Sequence, residues 1–297
     1  MDQMIPPLRI VLNKECNGTC SFCHSEGNVS EENMSIDTIK ECAKVVNLLQ
    51  LPYISITGGE PTIRDDLPEI IEIIKQTSPD SKLSLTTNGY SLDKFEEELS
   101  YPLDKLNLSF SSFKYDIAKK YQNVDPQKVL HTFKNFPAKS KNLNIVITNE
   151  NYLEISNFIK YCSDENISLD LMFNLKNSAD EDTEIQQYIF GKLEEYKNAR
   201  IVINTTPKLQ IDVSDGCRIN VKHPFFSAMP EYEVCNKCNL KNSCMERVCA
   251  VRVMPDETVT FCLNRNIKFD KTNLRDKIIE AYNLLSSSRS FLSFIYR

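Results

Sequence analysis

The chain has 297 residues, 41% of them apolar, which is enough for one sizeable core and a small appendage. Its net charge of −6 excludes a broad basic surface for nucleic acid. The sequence has neither a run of about 18 apolar residues nor a signal peptide, so we expect a cytoplasmic protein without a membrane segment. In that compartment its eleven cysteines favour metal binding over disulfides.

Apolar strands alternate with helical patterns along most of the chain. The predicted strands are 8–12, 53–57, 82–86, 105–110, 143–148 and 168–173, and the helices between them are 35–49, 66–77, 91–100, 126–135 and 152–164. Ser35 or Asp37 is expected to cap the first helix, and Asp125-Pro126 to begin the fourth. An acidic helix, 181–197, and a strand, 200–204, follow. This alternation predicts an α/β fold with a parallel sheet, whose ligands gather at the carboxyl ends of the strands.

Three cysteines follow the first predicted strand in a CxxxCxxC run: Cys16, Cys20 and Cys23. Three thiolates can hold three irons of a cubane cluster and leave the fourth iron open to a small molecule. Asn17 and Gly18 disfavour a buried strand or helix here, so three core cysteines are a poor explanation. A zinc site with His24 as its fourth ligand is the alternative.

The second predicted strand runs into Gly58-Gly59-Glu60-Pro61. Alone, this segment could be a simple turn. Its glycines let backbone carbonyls approach a ligand, and Glu60 adds a negative charge. The strand-borne GGEP, combined with CxxxCxxC and its Phe22, resembles the signature of radical S-adenosylmethionine (SAM) enzymes.

This resemblance implies a partial (β/α)6 barrel and a [4Fe–4S] cluster on Cys16, Cys20 and Cys23 that binds and reductively cleaves SAM. The resulting 5′-deoxyadenosyl radical would abstract a hydrogen atom from the substrate. An external one-electron reductant, a flavodoxin or a ferredoxin, is implied as a partner. The other cofactor-binding residues implied are Phe22, Gly58, Gly59 and Glu60 (the last three at the methionine end of SAM), Thr87, Asn88, Ser109 and Asn174.

The C-terminal part has six cysteines: Cys217, Cys235, Cys238, Cys244, Cys249 and Cys262. The run from Cys235 to Cys249 resembles SPASM auxiliary-cluster domains with one extra residue, and Glu257 stands where those domains usually have a glycine. The resemblance implies one auxiliary [4Fe–4S] cluster in a twitch-like half domain, with zinc as the alternative. The preferred ligands are Cys235, Cys238, Cys249 and Cys262, with Cys244 as a substitute, and the last two flank a predicted hairpin, 251–254 with 259–261.

We therefore predict two domains: a barrel over 1–212, and an auxiliary iron–sulfur domain with a terminal helix over 213–297. Cys217 is expected in a loop, as a free thiol or a further cluster ligand. A sharper hypothesis is that Cys217 or Cys244 faces the barrel mouth and donates a hydrogen atom to the substrate radical. Cys42 and Cys162 lie in helical patterns and are expected to pack in the core.

Over about residues 8–175 the barrel most resembles the molybdopterin GTP 3′,8-cyclase family, and Arg9 matches an arginine that this family uses on its triphosphate. Ser55 replaces a family arginine ahead of the GGEP segment, Arg252 stands alone where the family has two arginines, and the family's Gly-Gly tail is missing. Losing guanidinium groups removes bidentate phosphate recognition, so we expect a paralogue with a different substrate.

The expected substrate is a ribosomally made peptide, because auxiliary-cluster enzymes of this kind often form crosslinks or thioethers in peptides or epimerise their residues. A small metabolite such as a sugar or nucleoside is the alternative, followed by GTP cyclisation. A non-enzymatic iron–sulfur redox sensor is a further alternative, but it would leave the GGEP segment unexplained.

Overall fold

The computed structural model describes residues 5–23, 32–173, 179–196, 199–203, 207–214, 217–222, 235, 238–239, 248–262, 269 and 271–285. Within these residues the strands form one mixed sheet of eleven strands. Six of them are parallel neighbours in chain order: β1 (Leu8–Val11), β2 (Tyr53–Thr57), β3 (Lys82–Thr87), β4 (Lys105–Ser109), β5 (Lys141–Ile147) and β6 (Ser168–Phe173). The predicted α/β fold with a parallel sheet, of the kind found in a partial barrel, is confirmed.

Further strands extend both edges of this sheet. β7 (Ala199–Ile203), β8 (Pro207–Ser214) and β9 (Cys217–Lys222) form an antiparallel meander, and β9 pairs in parallel with β6. At the other edge, β10 (Val251–Val253) pairs in parallel with β1 and antiparallel with β11 (Val259–Thr260). The predicted hairpin around Pro255-Asp256 is confirmed. Glu257 in this hairpin has a φ of +62°, a left-handed conformation that glycine adopts more readily.

Seven α-helices are described: α1 (Ile36–Leu48), α2 (Leu67–Thr77), α3 (Tyr115–Gln122), α4 (Pro126–Asn135), α5 (Ile155–Asp164), α6 (Ala179–Leu193) and α7 (Leu274–Leu285). Ser35 caps α1, since its hydroxyl accepts a hydrogen bond from the Thr38 amide at 3.1 Å. Asp125 caps α4 by accepting from the Gln127 and Lys128 amides. Cys42 on α1 and Cys162 on α5 are fully buried, which confirms their predicted packing role.

The two faces of the sheet differ in character. Neighbouring strands β1 to β6 follow chain order, so right-handed crossovers put their helices on one face. Alternate side chains such as Leu83 and Leu85 are buried against that layer, whereas Ser84 and Thr86 point to the opposite side. We call this opposite side of the sheet the polar face.

The structure corrects several predicted elements. The predicted helix 91–100 is only a short 3-10 turn, Leu92–Phe95, because burying Leu92 and Phe95 three residues apart needs no more than one turn. Helix α3 and strands β8 and β9 were not predicted. Most of the predicted bounds elsewhere agree with the structure to within two or three residues.

Cys217 was predicted to lie in a loop. In the structure it is instead the first residue of β9, where it is 1% exposed. Because β9 runs parallel to β6, its first residue lies at the amino end of the strands, opposite the carboxyl ends where a barrel mouth forms. The structure thus contradicts the hydrogen-donor hypothesis for Cys217. Cys244, the other donor candidate, lies outside the described residues.

The predicted domain boundary at 212/213 falls inside β8, and β9 and β10 continue the main sheet. Helix α7 packs against α1 and the β10–β11 hairpin. A separate auxiliary domain remains a prediction, since most of 223–247 lies outside the described residues. Among the described helices, none combines the length and apolar character that a membrane crossing requires.

Candidate active site

The cysteine loop and the GGEP loop lie side by side at the carboxyl ends of β1 and β2. Hydrogen bonds continue the pairing of the two strands beyond their ends: the Leu12 amide donates to the Thr57 carbonyl at 2.7 Å, and the Gly59 amide to the Asn13 carbonyl at 2.7 Å. The Glu60 amide donates to the Glu15 carbonyl at 2.8 Å, one residue before Cys16. The two motifs, 35 or more residues apart in the sequence, are therefore joined by backbone contacts.

Two glycines make this close approach possible. A Cβ atom on Gly58 would lie 2.0 Å from Oδ1 of Asn13, and one on Gly59 would lie 2.1 Å from the backbone oxygen of Glu15. Neither position has room for a side chain. The sequence interpretation gave these glycines a role in approaching a ligand, but the structure adds that they admit the cysteine loop itself.

Glu60 joins the loops that follow β2 and β3. Its side chain is buried, and Oε1 accepts hydrogen bonds from the Thr62 amide at 3.0 Å, the Thr62 hydroxyl at 2.7 Å and the Thr87 hydroxyl at 2.5 Å. Oε2 accepts from the Asn88 amide at 2.6 Å. Burial raises the pKa of Glu60, while these four hydrogen bonds favour the ionised carboxylate and oppose that rise.

Asn88 carries the connection on to the cysteine loop. Its side-chain amide donates to Oδ1 of Asn17 at 2.8 Å, and its side-chain oxygen accepts from the Tyr90 amide at 2.9 Å. Thr87 accepts from the Gly89 amide as well as donating to Glu60. The predicted residues Glu60, Thr87 and Asn88 are thus brought together, and their side chains form one hydrogen-bonded network.

The C-terminal end of α3 holds the cysteine loop from the other side. The Thr19 amide donates to the Tyr121 carbonyl at 2.7 Å, and the Asn17 side chain to the Gln122 carbonyl at 2.5 Å. The Cys20 thiol donates to the same Tyr121 carbonyl at 3.2 Å. The Phe22 ring lies 5.4 Å from the Tyr121 ring, so Phe22 packs on the helix end. Sequence reasoning missed these contacts because it missed the helix.

Gln122 also connects this helix end to β4. Its side-chain amide donates to the carbonyl of Ser109 at 2.7 Å. Ser109, a predicted cofactor-binding residue, is the last residue of β4 and is partly buried. It therefore lies at the carboxyl edge of the sheet, as predicted for the ligand side. Asn174 and His24, which were also singled out, lie outside the described residues.

The three thiols act on one another electrostatically. Burial raises the pKa of Cys16, with further contributions from the charges of Glu60 and Cys23. Burial also raises the pKa of Cys20, to about 12, together with the charges of Cys23 and Cys16. Three thiolates so placed repel one another, and the positive charge of bound iron would relieve this repulsion. Within the described residues, no three or more His, Cys, Asp or Glu side chains are placed to hold a single metal ion.

Asn13 offers a further point of fit for SAM. Its side-chain amide donates to the Glu60 carbonyl at 2.9 Å, and it is fully buried. Its Oδ1 is buried beside Gly58 and accepts no hydrogen bond from any described residue. A buried acceptor at the GGEP loop suits a ligand ammonium group, such as the amino group of SAM. The three thiols and this acceptor therefore fit an iron–sulfur cluster with SAM bound beside it.

The auxiliary cysteines are only partly described. The Cys238 amide donates to the Cys235 carbonyl at 3.0 Å, which joins the two cysteines of the CxxC pair. Cys249 precedes β10 and its sulfur accepts from Nη2 of Arg252 at 3.2 Å, while Cys262 follows β11. All four are partly buried. The predicted substitute ligand, Cys244, lies outside the described residues.

Arg252, Arg9 and Ser55 form one row on the polar face. Arg9 on β1 is the register partner of Arg252 on β10 and of Ser55 on β2. Residues in register on neighbouring parallel strands project to the same side.

The sequence profile of the Radical SAM superfamily matches residues 10–162. A probable GTP 3′,8-cyclase of Methanococcus aeolicus is 28% identical over 246 residues, 79% of this chain and 80% of that protein. Another, of Sulfolobus acidocaldarius, is 37% identical over 166 residues, but the match spans only 53% of that protein and 54% of this chain.

Two solved structures share the fold over nearly the whole chain. Streptococcus suis SuiB bound to S-adenosylmethionine has a TM-score of 0.64 at 14% identity, covering 98% of this chain and 68% of SuiB. The structure of anSMEcpe with bound AdoMet and the Kp18Cys peptide has a TM-score of 0.61 at 18% identity, covering 98% of this chain and 83% of that protein.

Proposed function

The chain belongs to the radical SAM superfamily, and from this premise we propose that it modifies a ribosomally made peptide by radical chemistry. Membership makes it a radical SAM enzyme with a SAM-binding [4Fe–4S] cluster. When bound, the cluster and SAM supply a 5′-deoxyadenosyl radical that takes a hydrogen atom from the substrate. The protein binds and orients these groups and keeps water away from them.

The observation that carries the enzymatic proposal is the direct contact between the two motifs. Cys16, Cys20 and Cys23 would hold three irons of the cluster, and the GGEP loop would hold the methionine end of SAM. Because the Glu60 carboxylate already accepts four hydrogen bonds from the protein, we expect backbone atoms of 58–60 and Oδ1 of Asn13 to bind the SAM amino group. We expect Ser109, at the carboxyl end of β4, to contact the ribose or the carboxylate of SAM.

Two observations support a peptide as the substrate. The fold likeness covers 98% of this chain and includes a structure whose bound ligand is a peptide. The polar face also carries two partly exposed amide side chains, Asn107 and Asn144, which offer donors and acceptors of the kind that a peptide backbone pairs with.

A second candidate is cyclisation of GTP, the activity for which the sequence relatives are named. It is favoured by Arg9 and Arg252 lying side by side on the polar face. Ser55 argues against it, because a hydroxyl in that row cannot make the bidentate contacts of a guanidinium group with phosphate.

Product analysis distinguishes the two candidates. Reduced, cluster-loaded protein is incubated with SAM and either GTP or a short peptide encoded beside its gene. The proposal expects a mass change in the peptide and no cyclised nucleotide above background. If GTP is cyclised and the peptide is unmodified, the proposal is wrong and the protein is a GTP cyclase.

We also propose one auxiliary [4Fe–4S] cluster held by Cys235, Cys238, Cys249 and Cys262. The hairpin that carries Cys249 and Cys262 lies next to β1, and the carboxyl end of β1 leads into the cysteine loop. Both clusters would therefore flank the polar face. Iron analysis should then give about eight irons per chain, the sum of two cubanes. Four irons and one zinc per chain would instead show that the C-terminal cysteines bind zinc.

A further inference from the structure

A chain of side-chain hydrogen bonds crosses the polar face and ends at Asp170. Arg200 on β7 donates to Oε1 of Gln210 at 3.0 Å, Gln210 donates to Oδ1 of Asn220 at 2.9 Å, and Asn220 donates to Oδ1 of Asp170 at 2.6 Å. These residues are register partners on β7, β8, β9 and β6. The chain therefore fixes the Asp170 carboxylate in position on this face.

Three lysines point to the same side as Asp170. Lys222 and Lys208 are each two residues from a member of the hydrogen-bonded chain, Asn220 and Gln210, and side chains two apart on a strand share a face. Lys105 shares its face of β4 with Asn107 and Ser109 by the same alternation. All three lysines are partly buried.

The charges of this group do not balance. None of the three ammonium groups has a hydrogen bond or an ion pair with a described residue. Burial lowers the pKa of Lys105 and of Lys208. In both lysines the negative charge of Asp170 raises the pKa, and the positive charge of Lys222 lowers it further. Asp212 on the same face pairs with Arg200 and Arg218, which leaves Asp170 as the one carboxylate that faces the three lysines, in a chain whose net charge is −6.

Partly desolvated cations without partners are costly, and an anionic ligand offsets that cost. An ammonium group binds phosphate or carboxylate oxygens as a compact point charge. We propose that Lys105, Lys208 and Lys222 bind an anionic group of the substrate, a phosphate or a carboxylate, on the polar face. These lysines lie on β4, β8 and β9, apart from the Arg9–Arg252 row on β1 and β10. This proposal rests on the proposed function because it requires the substrate to bind on the polar face.

Calorimetric titration of the cluster-loaded protein at low ionic strength tests anion binding by these lysines without any turnover. The probes are inorganic pyrophosphate and, separately, glutarate. Each lysine is changed to methionine, which keeps much of the side-chain length and removes the charge. Lys134→Met is the matched control, since Lys134 is exposed on α4 and pairs with Glu165 at 2.8 Å. Circular dichroism and iron content show whether each variant is folded.

We expect at least one probe to bind, and each of the three variants to weaken it about tenfold, the loss of one charge-assisted contact. The control should bind as the unchanged protein does. Preference for pyrophosphate identifies a phosphate-bearing substrate, and preference for glutarate a carboxylate-bearing one. Absence of binding by both probes, or binding that folded variants retain, overturns the proposal. Anion binding by a protein that cannot cleave SAM would instead contradict the proposed function alone.

Discussion

The backbone amide of Asn88 donates a 2.6 Å hydrogen bond to the carboxylate of Glu60, and this contact ties the loops after β3 and β2 together. Asn88 then reaches Asn17 through its side chain, so the position of the cysteine loop depends on a buried carboxylate some forty residues away in the sequence. Glu60 therefore acts here as a positioning residue for the cysteine loop. Its charge is used by the protein and not left free for a ligand.

Glu60→Gln should destabilise the protein by about 2–4 kcal/mol. Both carboxylate oxygens of Glu60 accept hydrogen bonds, one from Thr62 and Thr87 and the other from Asn88. The amide nitrogen of glutamine would replace one of these oxygens and would then face a donor without accepting from it. Denaturant unfolding measures this change. Glu72→Gln is the matched control, because Glu72 is partly exposed on α2 and its carboxylate bonds Gln76 on the same helix. Equal stability of the two variants would contradict the network.

Two glycine substitutions should have opposite effects. Gly59→Ala places a methyl group 2.1 Å from the Glu15 carbonyl, so we expect a cost of about 1–3 kcal/mol and weaker SAM binding. Gly191→Ala on α6 meets no atom within 4 Å, so it should stabilise the helix by about 0.5–1 kcal/mol. Thermal unfolding and SAM titration compare them. A Gly59→Ala variant with unchanged SAM affinity would show that the two loops need not lie this close.

Sequence patterns predicted most of the fold because the central strands are apolar and bounded by clear turn signals. Leu83, Leu85, Leu106 and Leu108 alternate with polar residues, and their period identifies the strands directly. Helix α3 escaped prediction because it buries few of its residues, chiefly Ala118 and Tyr121, and carries lysines between them. Cys217 was assigned to a loop because Asp215-Gly216 precedes it, although pairing with β8 makes it a strand residue.

Motifs predicted which residues meet at the site but not how they meet. The cysteines and GGEP were identified from their spacing, yet the role of the glycines in admitting the cysteine loop depends on backbone contacts between distant segments. The contribution of Asn17 and Gln122 also depends on tertiary contacts with α3, for which no sequence signal exists beyond their polar character. The polar face follows from strand register, and single strands do not reveal it.

Asn17→Ala should make the cluster easier to remove. The change deletes the hydrogen bond to the Gln122 carbonyl and the one from Asn88, so the cysteine loop opens more often. We expect iron loss to a chelator to quicken about tenfold, as the loss of two hydrogen bonds implies. Asn135→Ala is the control, since Asn135 is exposed on α4 and bonds only within that helix. Identical rates of iron loss would show that these contacts do not secure the loop.

Formation of 5′-deoxyadenosine from SAM tests the central claim most directly. Anaerobically reconstituted, reduced protein should produce it, and the variant with Cys16, Cys20 and Cys23 all changed to alanine should produce none while keeping the iron of the auxiliary cluster. The physical reason is that the three thiolates supply the ligands of the SAM-binding cluster. Continued SAM cleavage by the triple variant, or no cleavage by fully loaded unchanged protein, would contradict the account.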